Sequence, residues 1–367
     1  SPAEENPAVL KAFLALLARL PQPQAVGPVT EMLSDPALRA DAAAALAAAA
    51  EQKLVEPAVA QSVAVRLRQQ LTPDTVPEPT VVTLLGRIGN GEDWQRIEGW
   101  LTSENPQVKA AAARVWADSE RPLSTLAEYA DDDVIRPLLI AAAARRGDDE
   151  ATLMALIEHE PAADEAQQLQ AWRQALVAMA QRVRPEAALR ADEAMRDRAN
   201  LADVRQQTLS AALDDVMSAV ANDPRDPLAE HLAPLLLARA EARMDAGDAA
   251  TALTDYQRLT MIDTPLMPQQ QQRRLFGLIQ AQLAVGRLDN ALAEAERLLA
   301  TGRNEAVVTR LADIFLAAAG RSVDARQPAQ VEQILTGLSG LLESNVPADI
   351  AERIRLMRAR LRETPSN

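Results

Sequence analysis

Apolar and polar positions along the chain fall into short amphipathic stretches separated by turns, and in the first half those stretches repeat. Val26 to Leu33, Trp94 to Leu101 and Leu123 to Tyr129 each carry an apolar face. A similar step follows each of them: Asp35-Pro-Ala-Leu-Arg39, Asn105-Pro-Gln-Val-Lys109 and Asp132-Asp-Val-Ile-Arg136. Asp or Asn stands four residues before a basic residue, with an aliphatic residue just ahead of the base. The chain then enters small and aliphatic runs, Ala40 to Ala50, Ala110 to Val115 and Leu138 to Ala144. An Asp or Asn side chain accepts a hydrogen bond from an unpaired N–H in the first turn of a helix and so starts one. The acid-to-base spacing of four puts both side chains on one helix face. The predicted unit is therefore a helix, a short turn and a second helix that packs closely on its neighbour. Pro73, Pro77 and Pro79 break helix between Thr72 and Thr80 and leave one repeat degenerate.

This pattern resembles HEAT repeats, including those of the phycobilisome-lyase-like class, over roughly residues 24 to 160. Leu84-Leu-Gly-Arg-Ile-Gly89, followed by Trp94 to Leu101 and Pro106-Gln-Val-Lys109, matches the family pattern best.

The second half has a different register. Gly247 is followed by Ala252, Tyr256 and Leu259, with Pro265 closing the unit, and 39 residues on Gly286 is followed by Ala291, Ala295 and Leu298. Gly ends a first helix because it accepts the left-handed conformation of the turn, and Ala lets the second helix pack tightly. These positions resemble the tetratricopeptide (TPR) pattern, with first helices over Leu235 to Asp245 and Arg274 to Ala284. A third unit is expected over Val307 to Gly320 and Ala329 to Leu342, with an insertion near Arg326. The amphipathic closing helix, Ala348 to Arg362, presents Ile350, Ile354, Met357 and Leu361 on one face and caps the stack. Long helices at about 165–183 and 186–221 join the halves, and Asp223-Pro-Arg-Asp-Pro227 punctuates the entry to the TPR-like part. The expected fold class is all-α, a helical-hairpin solenoid in three stretches: 1–160 HEAT-like, 161–227 connecting helices, 228–367 TPR-like with its cap.

Composition sharpens this picture. Hydrophobic residues are 48% of the chain but aromatics only 2%, so the apolar content is chiefly Ala, Leu and Val, which suits helices rather than strands. The net charge of −14 disfavours a nucleic-acid partner, which needs basic surface to displace counterions. Lysine occurs only at Lys11, Lys53 and Lys109. With no cysteine, disulfides, thiolate metal sites and cysteine nucleophiles are excluded. The longest apolar run, Ala42 to Ala50, is too short to cross a bilayer, which takes about 20 residues. The chain begins at Ser1 rather than Met, which fits either a removed export signal or an excised segment.

Candidate chemistry is sparse. His159 and His231 stand in separate segments, without the further ligands a zinc site requires. The carboxylate runs Asp131-Asp-Asp133, Asp148-Asp-Glu150 and Asp214-Asp215 lack a calcium-loop pattern and read as helix caps. Gly86 to Gly91 lacks the strand and lysine of a phosphate loop and reads as a repeat turn. Trp94, Trp100, Trp116 and Trp172 read as core between repeats. Arg353, Arg355, Arg358, Arg360 and Arg362 make the last helix basic, which offsets its dipole or meets an acidic surface.

The TPR resemblance implies a groove. Domains of that family that capture carboxylate-ended tails carry Lys and Asn at fixed first-helix positions. The matching positions here, Leu237, Glu241, Phe276 and Gln280, hold neither, so that clamp is absent. A groove in this register presents Leu237, Glu241, Met244, Arg273, Phe276, Gln280 and Leu283, a mixed surface suited to an apolar or helical segment. The functional expectation is a non-enzymatic scaffold for a protein or peptide partner, with no catalytic residue, cofactor or metal. An exported assembly factor or envelope-complex subunit is the alternative. A lyase-type enzyme, implied only by the HEAT resemblance, ranks behind both.

Overall fold

The computed structural model describes residues 7–71, 75–223, 225–262, 266–342 and 346–363. Pro73, Pro224 and Pro265 lie outside them. Every regular element among the described residues is helical, and the fold is an all-α solenoid. The chain divides into two compact units, Ser1–Met179 and Ala180–Asn367, and the division falls inside the stretch expected as connecting helices.

The first unit comprises α1 (Pro7–Arg19), α2 (Val26–Met32), α3 (Arg39–Glu51), α4 (Pro57–Gln70), α5 (Pro79–Ile88), α6 (Gly91–Gly99), α7 (Pro106–Asp118), α8 (Ser124–Ala127), α9 (Arg136–Arg146), α10 (Glu150–Glu158) and α11 (Ala166–Ala180). Helices α1, α3, α5, α7 and α9 stack in a row, and α2, α4, α6 and α8 join it from their turns. Helix α3 buries Ala42, Ala43, Ala45, Leu46, Ala47 and Ala49, so it is apolar on nearly all sides. A helix sandwiched between α1 and α5 has to be. Pro79 does not break α5 but opens it, at the one helical position where a missing N–H and a fixed φ are harmless.

Of the three predicted caps, Asn105 caps α7, whereas α3 and α9 start after Leu38 and Ile135 without a side-chain cap. Asp35, Asn105 and Asp132 all accept hydrogen bonds from the backbone N–H two residues on, of Ala37 (2.8 Å), Gln107 (2.9 Å) and Val134 (2.8 Å). The helix face expected to be shared by acid and base does not form in the first and third steps. Asp35 and Asp132 stand in the turn ahead of α3 and α9, out of helical phase with the base. The arginines instead close the turn: Arg39 Nε donates to the Leu33 carbonyl at 3.3 Å, and Arg136 Nε to the Ala130 carbonyl at 3.1 Å. Lys109 reaches forward to the next copy, donating to Asp132 at 2.6 Å.

The second unit comprises α12 (Pro185–Met195), α13 (Ala202–Asn222), α14 (Ala229–Asp245), α15 (Ala249–Arg258), α16 (Pro268–Ala284), α17 (Leu288–Thr301), α18 (Glu305–Asp324), α19 (Pro328–Leu342) and α20 (Ala348–Glu363). From α12 to α16, each helix packs on the next and on the one after it where the two belong to the same row. The long helix expected over 186–221 is two, parted by a turn at 196–201, and α12 and α13 fold back on each other. Helix α18 runs unbroken through Gly320, so the expected insertion near Arg326 is instead the hairpin turn itself.

That turn recurs. Gly247, Gly286 and Arg326, 39 and 40 residues apart, all have left-handed φ, at 83°, 78° and 56°. Behind each, two N–H groups turn back to the last turn of the helix: Asp248 to the Arg243 carbonyl, Arg287 to that of Gln282, and Gln327 to that of Ser322, at 2.8, 2.8 and 2.9 Å. This satisfies carbonyls that the helix end would otherwise leave bare. Ala252, Tyr256, Leu259, Ala291, Ala295 and Leu298 are all buried. Helix α20 closes the unit by burying Ile350 and Ile354, with Met357 and Leu361 packed alongside. Its arginines meet acidic surface: Arg353 pairs with Asp313 (2.8 Å), Arg358 with Glu332 (3.2 Å) and Arg360 with Asp324 (3.3 Å). Exposed pairs of this kind contribute under about 1 kcal/mol each, so the buried isoleucines carry the docking.

Two predictions follow from the turns. A non-glycine residue in the left-handed region costs about 1–2 kcal/mol, against roughly 0.5–1 kcal/mol for the extra freedom of glycine in the unfolded chain. Arg326→Gly therefore raises, and Gly286→Ala lowers, the melting temperature of the second unit by about 2–4 °C per kcal/mol, read by calorimetry. In the first unit, burial opposes the Asp132 charge, but hydrogen bonds from Lys109 and from the Val134 and Ile135 N–H groups outweigh it and hold the carboxyl below its ordinary value. A depressed carboxyl stabilises above the unfolded value, about 3.9, and that contribution fades as pH falls through the folded one. The stability gap between the wild type and Asp132→Asn is therefore full at pH 7 and closes below about pH 4 in urea titrations.

Candidate functional site

In the second unit, four helices, the turn at 196–201 and one residue of a fifth helix enclose an open hollow of about 620 Å³. Helix α14 contributes Glu241, Met244 and Asp245, and α16 contributes Arg273, Phe276, Gly277 and Gln280. Both sets follow the i, i+3, i+4 spacing that gathers side chains on one helix face. The turn at 196–201 supplies Arg196, Asp197 and Arg198 as a rim, α13 supplies Arg205 from its first turn, α15 supplies Tyr256 and α18 supplies Arg310.

Charge dominates the walls. Arg205, only 1% exposed, donates from Nε to Asp192 at 2.9 Å and from Nη1 to Asp245 at 2.7 Å. Arg196 reaches Asp192 at 3.0 Å and Glu241 at 3.4 Å. Burial opposes its charge, yet these carboxylates outweigh that and raise its pKa above the ordinary arginine value. Arg273 forks onto Glu241, its Nε at 2.9 Å and its Nη2 on the second oxygen. Behind them, buried Asp255 accepts two bonds from Arg239, at 2.9 and 2.8 Å, and one from Arg243 at 2.5 Å, fastening α14 to α15. Bidentate, desolvated pairs like these fix geometry, since removing one partner strands a buried charge at a cost of about 3–5 kcal/mol.

Two donors at this hollow find no acceptor among the described residues. One is Nη2 of Arg205, which is buried and unbonded. The other is the hydroxyl of Tyr256, a side chain 1% exposed. Burial, reinforced by Glu241 and Asp245 and only partly opposed by Arg273, pushes its phenol well above the ordinary tyrosine value, so the O–H stays protonated. Tyr256 fits there because residue 277 is glycine: a Cβ on Gly277 would lie 2.1 Å from the hydroxyl oxygen. A glycine inside a helix costs about 1 kcal/mol against alanine.

Five of the seven residues expected to form a groove line this hollow: Glu241, Met244, Arg273, Phe276 and Gln280. Leu237 and Leu283 do not. They are 2% and 5% exposed and belong to the core, since the helix face they share turns inward. Glu241 and Arg273 neutralise each other. Sequence reasoning missed Arg196, Arg198, Arg205, Tyr256 and Arg310. Asp197 and Asn200 are poor helix formers and were the available signal for the break that brings the first three into place.

Elsewhere, His231 lies 3.3 Å from Glu186, and His159 ends α10. No group of three or more His, Cys, Asp or Glu able to hold a metal occurs among the described residues. Asp149 caps α10 as expected, Asp132 holds the turn ahead of α9 instead of capping it, and Asp214 and Asp215 stand exposed in mid-α13 and cap nothing. Gly86 to Gly91 spans the α5–α6 turn, where Asn90 and Asp93 form a capping box. Trp116 and Trp172 are core; Trp94 and Trp100 are half-buried, and Trp94 meets Trp116 edge-on at 5.6 Å with Arg121 stacked above it at 4.5 Å.

If the Tyr256–Gly277 contact sets the α15–α16 spacing, the clash of an added methyl outweighs the gain in helix propensity. Gly277→Ala then lowers stability by about 1–3 kcal/mol in guanidinium unfolding, whereas a purely local helix effect would raise it by up to about 1 kcal/mol.

Compared with known proteins, the chain matches no protein-family model and no curated protein.

Proposed function

We propose that this chain is a non-enzymatic interaction scaffold, built from HEAT-like and then TPR-like hairpins, that holds a protein or peptide partner in the hollow between α13 and α16. One observation carries the reading: half-buried Phe276 and Met244 stand among arginines in an open depression. Aromatic residues, Met and Arg are the side chains enriched at the centres of protein interfaces, where a rigid apolar anchor is surrounded by groups that exclude water. The non-enzymatic half of the reading rests on the lining: no Ser, Thr, Cys or His is in it, and ion pairs tie Arg196, Arg205 and Arg273 to carboxylates. The TPR-like assignment is supported by the left-handed turn repeated at 39 and 40 residues. The hydrogen-bonded steps at Asp35, Asn105 and Asp132 support the HEAT-like one.

A photoreactive benzoylphenylalanine at position 276 tests this in the protein's own cells, with the same group at exposed Leu356 as control. The expected result is one dominant protein adduct from position 276 that the control lacks, and that is lost when Met244→Asp is added. The same diffuse labelling from both positions would sink the proposal.

A further inference from the structure

The unused donors at the hollow point to the chemistry of what it holds. We propose that the hollow receives a carboxylate from an acidic, partly apolar peptide segment, bound by the Tyr256 hydroxyl and Arg310. This rests on the scaffold reading and names its partner's character. Tyr256 is 1% exposed, lines the depression and makes no hydrogen bond through its hydroxyl among the described residues, and behind the wall Arg205 Nη2 is buried without a partner. A protonated phenol and a guanidinium are each complementary to an anionic oxygen, which forms shorter and stronger bonds with such donors than a neutral acceptor does.

The surrounding charge agrees. Five arginines and three carboxylates line the hollow, a local positive excess in a chain of net charge −14. Arg310, exposed at the rim, has no ion pair or hydrogen bond among the described residues, and neither does the Gln280 amide. Glu241 and Asp245 remain in the wall, and their repulsion grows with ligand charge. They therefore tolerate a singly charged carboxylate better than a phosphate carrying nearly two charges. Phe276 and Met244, next to the donors, suit an apolar side chain adjoining the acid. The hollow has no lysine or asparagine clamp, and its anion donors come instead from α15 and α18.

The test uses the full chain and an array of end-blocked hexapeptides. Each contains one Glu flanked by Leu, Phe, Met or Val, and each has a twin with Gln in place of Glu. A subset of Glu peptides is expected to bind about 10-fold or more tightly than their twins. Tyr256→Phe, which removes only an unbonded hydroxyl, should abolish most of that ratio. Arg310→Gln should weaken binding and flatten its salt dependence. Both variants should melt like the wild type. Equal binding of Glu and Gln peptides overturns the proposal, as does a preference that survives both substitutions. Displacement by inorganic phosphate at concentrations where acetate has no effect also overturns it, in favour of a phosphate site. A specific photo-adduct at position 276 with no Glu preference on the array would leave the scaffold standing and remove this inference alone.

Discussion

With four tryptophans, three phenylalanines and two tyrosines in 367 residues, this chain fills its interior almost wholly with Ala, Leu and Val. Small side chains make contact only if helix backbones come close, and every packed pair in both units obeys that constraint. The buried alanines of α3 let it sit between α1 and α5, and Ala252, Ala291 and Ala295 do the same for the hairpins of the second unit. A helix in such a row buries two opposite flanks, so each needs neighbours on both sides. Stability then builds up locally, from one hairpin to the next, and the end of a row needs a cap with a polar outer face. Helix α20 meets that need with two buried isoleucines beneath a surface of arginines.

Close packing also explains where polar chemistry collects. Around α12 to α16 the interior holds Asp192, Arg205, Arg239 and Asp255 among its hydrocarbon. Such pairs are weak evidence for stability, because two desolvated charges gain little over a well-packed apolar pair. They do fix the positions of the helices that carry them. Arg205 cannot leave Asp192 and Asp245 without stranding buried charge, so its guanidinium is held in place in the wall of the hollow. The same rigidity makes the hollow a preformed depression, which lowers the ordering cost of any partner.

A helical solenoid says little by itself about function, because many activities share that architecture. The functional reading here therefore rests on one depression and its unmatched donors. Two findings tie it to the fold: the glycine at 277 that admits the tyrosine, and the helix break at 196–201 that turns arginines toward it.

Much of this was legible in the sequence. The helical period, the turn residues at 35 and 132, the cap at 105, the glycines at 247 and 286 and the apolar face of the last helix are local signals. Each is set by hydrogen bonds or side-chain spacing within a turn or two, so the residues alone determine them. The all-α class follows from the same local terms, reinforced by the shortage of aromatic and β-branched residues. The tertiary structure decided the rest. Whether 186–221 is one helix or two depends on what the segment packs against, since Asp197 and Asn200 weaken a helix without forbidding it. Leu237 and Leu283 share the spacing of the groove residues, and only the direction in which α14 and α16 face their neighbours sends them to the core. Arg205 and Tyr256 are 51 residues apart and belong to different hairpins; nothing local relates them, and a shared hollow exists only once α13, α15 and α16 have packed.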